Sequence, residues 1–183
     1  MNSEAEKVQD ILESDLTHFI DTRPVIQEWL DQYHDKHYGV QDRFKPLVLD
    51  GDSRYGKTTW ATSFFSQKFT CMVNCQGSCE IVLKGYHRKR KFYKAILFDE
   101  ANWELIFKNK MIFQAGAKQI ECGQSPTAQH LYELWLYQVL MILCGNDFFQ
   151  GMTPEAKNYL DKNIVLFTCK EFCYQNRPQI DTS

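Results

Sequence analysis

Leu47-Val48-Leu49-Asp50-Gly51-Asp52-Ser53-Arg54-Tyr55-Gly56-Lys57-Thr58-Thr59-Trp60 is the stretch on which the reading of this chain turns. A short strand-like run, 46–50, leads into a segment that matches G-x-x-x-x-G-K-[ST] at every position. A helix is expected directly after it, over 57–66. The glycines let the backbone turn tightly, so that its N–H groups converge on phosphate oxygens. The start of the helix adds its positive end. On this reading Gly51, Asp52, Ser53, Arg54, Tyr55, Gly56, Lys57, Thr58 and Thr59 form a phosphate cradle. Lys57 reaches the β- and γ-phosphates, and the Thr58 hydroxyl is a ligand for Mg²⁺.

Working outward, two further strand ends carry the residue types that such a loop requires. Ala95-Ile96-Leu97-Phe98 runs into Asp99-Glu100. Asp99 is expected to hold Mg²⁺ through water, and Glu100 to orient and deprotonate an attacking water. The apolar run 139–144 ends in Gly145-Asn146. Ligands bind at strand ends in α/β sheets, so Asn146 is expected to touch the γ-phosphate and the water from the opposite side. An asparagine that merely starts a turn is the plainer reading.

The remaining texture fits one architecture. Leu47-Val48-Leu49, Cys71-Met72-Val73, Ala95-Ile96-Leu97-Phe98, 139–144 and 164–167 are continuous apolar runs, which suits strands buried on both faces. Helices are expected over 8–20, behind a capping box at Ser3 and Glu6, from Pro24 onward, and from Thr153-Pro154-Glu155. The expected class is α/β with a mainly parallel sheet. The division is an N-terminal helical segment, 1–44, as an oligomerisation arm, one domain, 45–175, and a tail, 176–183.

Composition narrows the function classes. The chain has 183 residues, 44% hydrophobic and 24% charged, which is globular and allows one complete domain. A formal net charge of −2 excludes a wholly basic, phosphate-coating protein but not a local basic groove. The longest apolar run is far short of the roughly 20 residues of a membrane span, and the N-terminus lacks a signal-like apolar stretch. The seven cysteines are then expected as reduced thiols in a soluble intracellular protein, nuclear or cytoplasmic. Cys71, Cys75 and Cys79, and Cys169 and Cys173, are spaced by four, a pattern compatible with zinc but better suited to buried thiols.

The three motifs together resemble the superfamily 3 helicase domain of replication-associated (Rep) proteins of small circular single-stranded DNA viruses and related plasmids. The filling of the loop from Gly51 to Ala61 is similar to the geminivirus type, Asp99-Glu100 to the family's second motif, and Asn146 to its motif C. The stretch from Phe113 to Ser125 lies where the family places a DNA-facing hairpin, the B′ motif, with Lys118 its clearest cation. The resemblance spans about 45–172. It implies an AAA+-like P-loop NTPase sheet, ATP hydrolysis, 3′→5′ movement on single-stranded DNA, and a ring of subunits. The chain departs from that family in three places. The 45 residues before the first strand are expected to hold no nicking domain, and the hairpin is poor in lysine. No arginine occurs between Arg90 and Arg177, so Lys157 or Lys162 would replace an arginine finger.

Tyr86-His87-Arg88-Lys89-Arg90-Lys91-Phe92-Tyr93-Lys94 interleaves basic and aromatic residues. Arg88, Lys89, Arg90 and Lys91 are expected either to contact nucleic-acid phosphates, DNA or RNA, or to form a solvated loop or targeting cluster. Two other classes stay open: a small nucleotide or metabolite kinase, and a nucleotide-binding interaction module without helicase activity. A kinase usually needs an arginine-rich lid, against which the arginine-free stretch argues.

Overall fold

The computed structural model describes residues 24–34, 43–63, 69–76, 78–116, 118–122, 132–170 and 173. The expected helix over 8–20, the segment 123–131 and the tail 176–183 lie outside the described residues. The elements in chain order begin with α1 (Pro24–His34), β1 (Leu47–Gly51), α2 (Lys57–Ser63), β2 (Thr70–Asn74), α3 (Lys84–Lys89) and β3 (Ala95–Asp99). Then come α4 (Trp103–Lys108), α5 (Lys110–Phe113), β4 (Gln119–Cys122), β5 (Tyr132–Trp135), β6 (Leu140–Gly145), α6 (Pro154–Asn163) and β7 (Val165–Cys169).

Five strands form one sheet in the order β2-β3-β6-β1-β7, and every pairing in it is parallel. The α/β class with a parallel sheet is therefore as expected. Strand period explains how the apolar runs serve it, since successive side chains point to opposite faces. Val48, Ile96, Phe98, Met141 and Leu143 enter a core on one face, with residues of α4, α5 and the β4–β5 hairpin. Leu47, Leu49, Leu97, Ile142 and Cys144 enter a second core on the other face, beneath α1 and α2. β1, β3 and β6 are central and almost wholly buried.

The outer strands differ from expectation. β2 and β7 were expected to be buried on both faces but are the sheet edges, with Met72 49% and Leu166 42% exposed. An apolar run reports what a strand contains, whereas its place in the sheet is decided by pairing.

Caps and docking contacts set the helices. Asn102 and Thr153 are the N-caps of α4 and α6, their side chains accepting from Leu105 N and Ala156 N. α1 begins at Pro24 and buries Ile26 and Trp29 in the second core. The Trp29 indole donates to Lys45 O at 2.8 Å, and Lys45 N donates to Gln32 Oε1 at 3.1 Å. These bonds hold α1 at the entrance to β1. No described helix is long and apolar enough to cross a membrane.

Six of the seven cysteines are buried, and Cys79 is half-buried. Burial pushes the Cys75 thiol up to about 11, with the charges of Asp99 and Cys79 adding to the shift.

The end of β6 is closely packed. A Cβ on Gly145 would sit 2.4 Å from Ala101 O and 2.8 Å from the Phe148 ring. Gly145→Ala should therefore destabilise the fold by about 1–3 kcal/mol through overpacking, read as a lower urea midpoint.

Candidate functional site

The loop between β1 and α2 departs from ordinary backbone at several points. Gly56 takes φ +78°, a conformation that favours glycine, and Arg54 takes φ +67°. A Cβ on Gly51 would lie 2.5 Å from Cys169 O, so only glycine fits between β1 and the end of β7. The first helical bond of α2 runs from Trp60 N to Gly56 O at 2.9 Å. The N–H groups just ahead of it have no partner within the helix and are open to an anion.

Lys57 sits at the centre. It is 6% exposed. Its Nζ donates to Gly51 O at 2.8 Å, to Asp52 O at 2.7 Å and to Asn146 Oδ1 at 2.9 Å. An ammonium has three donors, so all are used. Asn146 spends its carbonyl oxygen on Lys57, which leaves its Nδ2 amide as a donor for a further oxygen.

The end of β3 supplies the acidic pair. Thr58 Oγ1 donates to Asp99 Oδ1 at 2.8 Å, and Glu100 N donates to the same oxygen at 3.1 Å. Glu100 takes φ +53°, a strained conformation for a residue with a side chain. Two cross-strand bonds hold the turn: Ala101 N to Cys144 O and Cys75 N to Asp99 O, each 2.9 Å.

Lys57, Thr58, Thr59, Asp99, Glu100 and Asn146 all line one cleft of about 240 Å³, with Ser53, Arg54 and Gly56 on its rim. The residues expected from three separate strand ends therefore meet. Gly51, Asp52 and Tyr55 are off the lining. The Tyr55 hydroxyl bonds to the Asp52 carboxylate, whose bond and charge raise the tyrosine's pKa. Cys144 also lines the cleft, and burial holds its thiol strongly protonated.

The chemistry of this donor set is specific. A buried ammonium, open N–H groups and Asn146 Nδ2 suit a polyanion. Thr58 and Asp99 suit a hard cation. Among the described residues no group of three or more His, Cys, Asp or Glu could hold a metal.

Asp50 was not singled out in the sequence. Its Oδ1 accepts from Phe148 N at 3.0 Å and so ties the end of β1 to the turn that carries Asn146. In sequence it reads only as an acid at a strand end, because its partner lies far along the chain.

The expected nucleic-acid residues lie elsewhere. Lys118 is exposed just before β4, and Arg88, Lys89, Arg90 and Lys91 are exposed on α3 and the turn after it. The expected solvated loop starts as a helix. Tyr86 is buried and stacks on Tyr93 at 6.1 Å, so of the three aromatics only Phe92, 68% exposed, is free to meet a base. α3 is anchored to the hairpin: Leu83 N donates to Tyr132 Oη at 2.8 Å, and His87 packs against that ring. Lys157 is engaged by Asp161 on α6, and Lys162 is exposed on the same helix.

Comparison with protein-family models and with curated proteins returns no match for this chain.

Asp50→Ala would leave Phe148 N without its acceptor and should cost about 1–3 kcal/mol, whereas Asp50→Asn keeps an acceptor and should lose less. Urea denaturation of the two variants checks the order.

Proposed function

We propose that the chain is an ATP-binding and ATP-hydrolysing P-loop domain of the Rep-like helicase kind, acting on single-stranded nucleic acid, DNA before RNA. The observation that carries this reading is the convergence of Lys57, the Thr58–Asp99 pair, Glu100 and Asn146 on one cleft. The sheet order supports the AAA+-like form, because β6 brings Asn146 between the loop strand and the Asp99 strand.

The residues act in sequence. The triphosphate enters along the N–H groups of the loop, and Lys57 exchanges neutral acceptors for β- and γ-phosphate oxygens. Charged acceptors make stronger hydrogen bonds, which favours the exchange. Thr58 and Asp99 are the residues that would hold Mg²⁺, which neutralises charge on the phosphates when bound. Asn146 donates Nδ2 to the γ-phosphate while its Oδ1 faces Lys57. Glu100 orients a water and takes its proton as the water attacks phosphorus, and the bond to the bridging oxygen breaks to leave ADP and phosphate. The Glu100 side chain is exposed and lines the cleft, where a water can reach it.

The exposed cations at 88–91 and Lys118 are the proposed strand contacts. A ring of subunits completes the reading, with a lysine of α6 reaching a neighbour's cleft. Lys162 suits that role better than Lys157, which Asp161 already engages.

Lys57→Ala should abolish ATP binding in a folded protein. Glu100→Gln should keep ATP bound and slow hydrolysis by about 10²–10⁴, the usual worth of a positioned general base. ATPase assays with and without single-stranded DNA, beside calorimetric binding, check both. ATP bound and never hydrolysed by the unmodified chain would leave the interaction-module reading, and DNA-independent turnover with an acceptor other than water would leave the kinase.

Neutralising 88–91 should flatten the salt dependence of DNA binding by about 0.7 log units per lost phosphate contact per tenfold salt. Fluorescence titrations across a salt series read that slope, and an unchanged slope removes the cluster from the interface.

A further inference from the structure

Two buried thiols meet beside the loop. Cys169 ends β7, and Cys173 lies four residues on, with Cys173 Sγ 3.8 Å from Cys169 Sγ. Each also contacts the 51–58 loop. Cys169 is the register partner of Gly51, and its carbonyl fills the space where a Gly51 Cβ would be. Cys173 N donates to Tyr55 O at 2.9 Å, directly ahead of Gly56 and Lys57.

We propose that Cys169 and Cys173 form a redox switch on the nucleotide cleft, in which closing the disulfide lowers affinity for nucleotide. The proposal rests on the reading of the cleft as a nucleotide site. A disulfide needs its sulfurs about 2.05 Å apart, so they must close by about 1.8 Å. The backbone of Cys169 is held: β7 is paired with β1 from Leu47↔Val165 to Gly51↔Cys169, and its carbonyl packs against Gly51. Closure is therefore taken up by rotation of the two side chains and by displacement of the Cys173 backbone. A hydrogen bond tolerates only a few tenths of an ångström, so a larger displacement of Cys173 N either carries Tyr55 with it or breaks their bond. Both outcomes disturb the backbone whose N–H groups face phosphate.

The oxidant is a peroxide. One thiol, as thiolate, attacks a peroxide oxygen; the O–O bond breaks, giving a sulfenic acid and one water from hydrogen peroxide. The second thiol attacks that sulfur and releases a second water. Two thiols and one H₂O₂ thus give one disulfide and two H₂O. Coupling between sites is reciprocal, so bound nucleotide opposes closure by the same factor. Cys79, half-buried 3.6 Å from Lys108 Nζ, is the competing thiol and is removed as Cys79→Ser.

The test uses the full chain carrying Cys79→Ser, reduced and then treated with hydrogen peroxide. Trypsin cuts after Lys170, between the two cysteines, so the disulfide appears as a linked peptide pair. The expected result is a 169–173 link and ATP affinity lowered about tenfold, within the usual range for coupled sites. Dithiothreitol should restore affinity, and ATP with Mg²⁺ should slow link formation. Cys173→Ala, which keeps its N–H for Tyr55, should bind ATP normally and resist peroxide; Cys173→Ser serves if alanine fails to fold. Absence of the link, a link with unchanged affinity, or equal peroxide sensitivity in the Cys173 variant would overturn the proposal. Failure of the reduced chain to bind ATP, seen before any peroxide is added, would overturn the nucleotide reading and this coupling with it.

Discussion

The buried ammonium of Lys57 is the constraint around which this molecule is arranged. A buried charge without partners is costly, so three acceptors must be held within bonding distance of one nitrogen. Two come from the loop's own carbonyls at Gly51 and Asp52, which a tight turn provides locally. The third, Asn146 Oδ1, comes from a strand far along the chain. The parallel pairing of β1 with β6, in the register Asp50↔Gly145, makes that possible. Asp50 then fixes the turn beyond β6, and Gly145 lets Ala101 and Phe148 close on it.

Some backbone strain lies at the same place. Arg54, Glu100 and Asp147 adopt positive φ at the loop and at the ends of β3 and β6. Such conformations cost on the order of 1–3 kcal/mol each and persist only where surrounding bonds enforce them. Here the bonds run between neighbouring strands, so the two-sided core beneath the sheet is what sustains the geometry of the cleft.

The periphery follows a different logic. The edges of the sheet are β2 and β7, and β7 is also the wall against which Gly51 packs. The β4–β5 hairpin and α3 stand apart from the cleft and share Tyr132, which accepts from Leu83 N and packs on His87. The cations at 88–91 thus lie at the end of a helix and in the turn after it, and the helix's aromatic, Tyr86, is buried in the core. Within the helix Tyr86 is buried while Arg88 and Lys89 are exposed, and Phe92 beyond it is exposed with the cations.

How much was legible in the sequence follows from the range of the interactions. Loop, acidic pair and strand-end asparagine were readable because each is a short motif whose chemistry is local: glycines that permit a turn, a lysine beside them, a carboxylate after an apolar run. The five parallel strands were readable for the same reason, as continuous apolar runs between helical stretches. Sheet order, the edge positions of β2 and β7, the Asp50–Phe148 bond and the meeting of Cys169 with Gly51 were not. They depend on which strands pair and in what register, and that is settled by packing between residues remote in the chain. The sequence determined which groups are present at the strand ends; the tertiary structure alone decided that they surround one ammonium, because only parallel pairing brings those ends to the same edge.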